Sequence, residues 1–84
     1  MNPKKVEQNK TYIATQRLIA GDLRGALAIF RTFRIGFTKE ERRTMEIASE
    51  CLNGHTGFYL SIGISPAEEI ARSRTILEAR YLKD

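Results

Sequence analysis

Four helix-start signals within one 84-residue chain do most to set its fold: Asn2-Pro3, Asp22 after Gly21, Thr38-Lys39-Glu40-Glu41 and Ser65-Pro66-Ala67-Glu68. In each, a short polar side chain can accept a hydrogen bond from a first-turn amide that has no partner inside its own helix. Thr38 with Glu41, and Ser65 with Glu68, have the spacing of a reciprocal capping box. Gly21, Gly54 and Gly63 are the matching stops.

The first helix is expected from Pro3 or Lys10 to Ala20, with Tyr12, Ile13, Ala14, Leu18 and Ile19 in its second half and residues 1–9 frayed or extending into solvent. The second, Leu23 to Arg34, has the clearest pattern: Leu23, Ala26, Leu27, Phe30 and Phe33 recur at spacings of three and four and form one buried stripe, broadened by Ile29. Gly25 and Ala28 are small enough to admit a close helix, although Gly25 costs about 1 kcal/mol of helix propensity. Arg24, Arg31 and Arg34 share a broad outer face. Ile35 and Phe37 of the following turn are expected to tuck under the bundle.

Thr38 opens a third helix reaching about Leu52, with Met45, Ala48 and Leu52 inward, flanked by Ile47 and Cys51. Its outer face carries Glu40, Arg42, Arg43, Glu46 and Glu50, where Arg42 with Glu46 and Arg43 with Glu50 are compatible with surface pairing worth about 0.3 kcal/mol at best. From Thr56 to Ile64, the residues Phe58, Leu60, Ile62 and Ile64 alternate as a strand would. A lone strand has no partner unless two copies pair edge to edge, so a short helix over Gly57–Ile62 is favoured, with Phe58, Tyr59 and Ile62 inward. Ser65-Pro66 begins the last helix, whose core side is expected to be Ala67, Ile70, Ala71, Leu77 and Tyr81. Ile76 and Leu82 add apolar surface for a dimer contact or a wider buried face. The expected fold is all-α: one helical domain over 1–84, a compact bundle of four main helices plus one short helix, packed as helical hairpins.

Composition excludes some classes and leaves others open. No apolar run approaches the ~20 residues of a membrane-spanning helix, and no apolar stretch follows Lys4-Lys5, so neither a membrane partner nor a secretory signal is expected. The lone Cys51 cannot form an internal disulfide, which fits a reducing cytoplasm. Charge is lopsided. Residues 1–43 hold ten Lys/Arg against four Asp/Glu, and residues 44–84 hold four against six. The lopsidedness fits a basic surface for nucleic acid or an acidic protein, head-to-tail self-association, or a merely solvated exterior.

Chemistry-bearing motifs are few. Cys51 and His55 have i,i+4 spacing, but Gly54 interrupts the helix between them and there is no second Cys or His to complete a metal site. Glu40/Glu41 and Glu68/Glu69 sit in first helical turns, where the helix dipole accounts for them. Gly54-His55-Thr56-Gly57 lacks the lysine and spacing of a phosphate-binding loop. No catalytic residue, cofactor or metal is expected. A helix-turn-helix reading of the second and third helices is disfavoured, since the stretch from Lys39 to Leu52 carries four glutamates against three cations. Phosphate contacts would come instead from Lys4, Lys5, Lys10, Arg17, Arg24, Arg31 and Arg34.

Ala14, Leu18, Gly21, Ala26, Phe30 and Phe33 resemble, over residues 10–33, the spacing of a tetratricopeptide-type helical hairpin, departing from it at Lys10 and Phe33. No second copy follows. The stretch Gly36–Gly54 is also faintly similar to small uncharacterised proteins of bacterial mobile elements and phages, which implies no activity. The expected function is a small non-enzymatic protein-interaction module of adaptor or inhibitor type, its partner a protein or a second copy of itself. Arg24, Arg31, Arg34, Phe37, Arg42 and Arg43 form the candidate contact surface, and the alternative is a nucleic-acid-associated protein using the basic first hairpin.

Overall fold

A computed structural model describes residues 3–82, with side chains from Lys10 onward. The cap expected of Asn2 therefore lies outside the described residues, as do the side chains of residues 3–9. The helices are α1 (Pro3–Ile19), α2 (Leu23–Phe30), α3 (Lys39–Leu52), α4 (Thr56–Ser61) and α5 (Pro66–Leu77), and α5 runs on into a π-helical segment, Glu78–Leu82. Among the described residues there is no strand, so the all-α expectation is met.

Three of the helix starts are capped as the sequence implies. The Asp22 carboxylate accepts from the Gly25 amide at 2.9 Å. Thr38 and Glu41 make a full capping box, with the Glu41 amide donating to Thr38 Oγ1 at 3.1 Å and the Thr38 amide donating to Glu41 Oε1 at 2.9 Å. Ser65 accepts from the Glu68 amide at 3.3 Å without a reciprocal bond, and Pro66 occupies the first helical turn, where its missing N–H costs nothing. Gly21 and Gly63 adopt φ of +84° and +83°, the left-handed conformation their stop roles require.

α1 and α2 form a hairpin in which Ala14 and Leu18 meet Leu23, Ala26, Leu27 and Phe30. α2 also packs on α3, so its apolar stripe is covered from two sides. It ends at Phe30, earlier than the expected Arg34. The Thr32 amide and hydroxyl both turn back to the Ile29 carbonyl, the hydroxyl at 2.7 Å, and tighten the chain into a turn. Ile35, expected to tuck under the bundle, is 84% exposed. Phe37 is half-buried, as expected. Gly25 serves a role other than close helix approach: a Cβ there would lie 2.2 Å from the Asp22 carboxylate and 2.8 Å from the Arg17 guanidinium, so its bareness makes room for the cap.

α3 is the central helix, packed on α2, α4 and α5. Met45, Ile47, Ala48 and Cys51 are buried as expected and Leu52 packs against the core, but Ser49 is buried too. The facing side of α5 departs further from expectation. Ala67 and Ala71 are exposed while Glu69 and Ser73 are buried; Leu77 is buried and Ile70 packs against the core as expected, with Ile76 half-buried. The polar pair is satisfied within its own helix: the Ser73 hydroxyl donates to the Ile70 carbonyl at 2.7 Å, and Arg72 holds the Glu69 carboxylate at 2.7 Å. Satisfied locally, these groups avoid the cost of a bare buried polar atom, while an exposed alanine gives up little apolar burial.

The π-helical segment completes the core. Tyr81 stacks on Phe30 with ring centroids 4.6 Å apart, and Phe33 and Phe37 meet the same Phe30 ring edge-on at 5.3 and 6.3 Å. Arg80 reaches Glu41 at 2.6 Å and lies 5.3 Å above the Phe37 ring. The last helical turns are thereby tied to the start of α3. Burial raises the Tyr81 phenol above its ordinary pKa despite the nearby Arg80 charge. The Cα radius of gyration, 13.2 Å, slightly exceeds the roughly 12 Å of an equally long, rounder domain, and the long axis is 45 Å.

Candidate interaction surfaces

The residues expected to form one contact patch have different neighbours. Arg24 Nε donates to Asn53 Oδ1 at 2.7 Å, and Arg31 lies 3.4 Å from the Ser49 hydroxyl, so both run along the seam between α2 and α3. Arg42 shares that edge of α3, two turns before Ser49, whereas Arg43 is rotated about 100° further round the helix. Arg34 belongs to a different place, an open cleft beside α1. Phe37 sits in the aromatic cluster beneath Arg80. Among the described residues, the compatible pairs Arg42–Glu46 and Arg43–Glu50 are not within ion-pair distance.

Glu50 has another use. Its carboxylate accepts the Tyr59 hydroxyl at 2.5 Å and thereby ties α4 to α3. This bond to an anion, reinforced by partial burial, pushes the Tyr59 pKa up to about 12. Tyr59 is half-buried, and no residue of α4 is fully buried.

The inward orientation expected of Phe58 and Ile62 is therefore incorrect. Phe58 is 64% exposed, Leu60 59% and Ile62 52%. The expected inward set, Phe58, Tyr59 and Ile62, spans about 100° of the helix, and only its Tyr59 side meets α3, through Glu50. With Tyr59 turned to Glu50, Phe58 and Ile62 share an outward side, and the Phe58 ring rests edge-on against Tyr59 at 5.1 Å. A further exposed apolar strip lies on α1, formed by Tyr12, Ile13 and Ile19.

Cys51 and His55 occupy different environments. The thiol is buried and the imidazole is on an exposed residue, where His55 precedes α4 without a side-chain cap bond. Burial raises the Cys51 pKa, and the Glu50 and Glu69 charges raise it further, so the reactive thiolate is disfavoured. Among the described residues, no group of three or more His, Cys, Asp or Glu side chains could hold a metal, and no helix is long and apolar enough to cross a membrane.

In comparison with known proteins, the chain matches no family model, and no curated protein or solved structure at a significant level. The outward apolar surface of α4 was hidden from sequence reasoning by its strand-like alternation. The usable signal was length: a six-residue helix within the eight residues between Gly54 and Gly63 cannot bury apolar side chains on every side.

Proposed function

We propose that this protein is a small non-enzymatic interaction module, of adaptor or inhibitor type, acting in the cytoplasm and docking on a partner protein through α4. The supporting observation is that Phe58 and, one turn on, Ile62 at the C-cap of α4 share one outward side and are both more than half exposed, with Leu60 exposed on another side of the helix. Aromatic side chains are enriched at the cores of protein interfaces, and the fold gains little by exposing one. The Tyr59–Glu50 bond restrains the helix that carries them and so lowers the ordering cost of docking. The partner surface this favours is an apolar groove able to receive a phenylalanine.

Affinity capture from host extract tests the proposal, using the wild type, Phe58→Ser/Ile62→Ser and Tyr12→Ser/Ile19→Ser. A specific binder retained by the α1 variant and lost by the α4 variant supports it; the reverse pattern, or retention by both, overturns it. Light scattering of the pure protein shows whether the binder is a second copy of the chain.

A second reading, association with nucleic acid, is favoured by one observation: Arg24 and Arg31 lie one above the other along the α2–α3 seam, with Arg42 on the same edge of α3. Such a row is suited to tracking phosphates, and its binding would weaken steeply with added salt.

A further inference from the structure

An open cleft of about 490 Å³ lies between α1 and the chain that leaves α2, lined by Lys10, Thr11, Thr32, Phe33, Arg34 and Ile35. Its two cations come from different elements, and among the described residues neither is within 4.0 Å of a carboxylate. Lys10 Nζ lies over the Phe33 ring, 5.4 Å from its centroid, so the ammonium covers the aromatic face. Ile35 is 84% exposed although apolar. The cleft thus offers two cationic side chains beside aromatic and aliphatic surface, on elements other than α4.

From this arrangement we infer that the cleft binds a nucleoside phosphate, its phosphate drawing Lys10 and Arg34 and its base taking the place of the Lys10 ammonium on the Phe33 ring, beside Ile35. Two cations on separate elements suit a dianion with three terminal oxygens better than a carboxylate, whose two oxygens a single guanidinium can satisfy. The cleft has room for more than the anion, and Phe33 and Ile35 in its lining offer apolar surface that an anion alone would not use. The cleft lies within the usual size range of small-molecule sites. The flat faces of a base suit an aromatic wall, and such stacking tolerates any of the bases.

The test is a calorimetric or NMR titration of the full chain with adenosine monophosphate, adenosine and inorganic phosphate at low salt. Adenosine monophosphate is expected to bind at least about tenfold more tightly than either fragment, as a charged contact and a stacking contact acting together require. Lys10→Gln/Arg34→Gln should weaken nucleotide binding about tenfold or more, and Ile35→Ser should weaken it less. All these side chains are exposed or on exposed residues except Phe33, which is left intact, so circular dichroism should report unchanged folding.

A 5′-phosphorylated trinucleotide distinguishes the source of the ligand: equal affinity assigns a free nucleotide, and much tighter binding assigns a strand end. Phosphate binding as well as the nucleotide marks an adventitious ion only and overturns the inference. So does nucleotide binding that the double variant leaves unchanged, or no binding at millimolar nucleotide. The α4 variants bear on none of these outcomes.

Discussion

α2 and α4 are the two apolar short helices of this protein, and they meet opposite fates. α2, Leu-Arg-Gly-Ala-Leu-Ala-Ile-Phe, buries Leu23, Ala26, Leu27 and Phe30; α4, Thr-Gly-Phe-Tyr-Leu-Ser, buries none of its residues fully. The difference is spacing and position rather than hydrophobicity. α2 has its apolar residues three and four apart and lies between α1 and α3, whereas α4 has Phe58, Tyr59 and Leu60 in succession, spread around the helix, and packs against α3 and α5. Apolar content alone therefore does not tell core from contact surface in a short helix; angular distribution does.

The largest expected effect breaks the comparison from the α2 side. Phe30→Ala removes the ring on which Phe33, Phe37 and Tyr81 converge and should cost about 3–5 kcal/mol in urea unfolding. A loss below about 1 kcal/mol would show that the aromatic cluster is not the core.

Thr38→Ala comes next, at about 1 kcal/mol, because it leaves a first-turn amide of α3 unbonded. The same box carries pH dependence. The Thr38 amide, with Arg80 adding to it, holds the Glu41 carboxyl below its ordinary pKa. A depressed pKa contributes stability that is present above the ordinary carboxylate range and lost as pH falls through the lowered value. Glu41→Gln should flatten that part of the acid unfolding profile.

A smaller effect sharpens the comparison from the α4 side. Tyr59, with its pKa raised to about 12, should ionise late in an alkaline absorbance titration, and its bond contributes stability below pH 10 that is lost as pH rises towards 12. Glu50→Gln should bring the late phase to lower pH at a cost of about 1 kcal/mol or less. An unchanged titration would mean that Tyr59 is not held by Glu50.

Much of the architecture is legible in the sequence because its determinants are local. Asp22, Thr38 and Ser65 cap their own first turns, and the stripe of α2 needs only helical periodicity to be read. α5 is less legible: Ser73 and Glu69 resemble surface residues until their partners Ile70 and Arg72, on the same helix, are seen to satisfy them. The contact patch is less legible still, because residues close in sequence, such as Arg31 and Arg34, meet different neighbours, Ser49 for one and the cleft beside α1 for the other, once the turn at Thr32 ends the helix. Conversely, Lys10 and Arg34 join one cleft only through the packing of α1 on α2, which no local pattern encodes.

The most direct test of α4 as a docking surface is to measure unfolding free energy and partner capture together for Phe58→Ser/Ile62→Ser. Stability within about 0.5 kcal/mol of wild type, with capture reduced at least about tenfold, is the predicted result. A loss of several kcal/mol with capture intact would contradict it and make α4 part of the core.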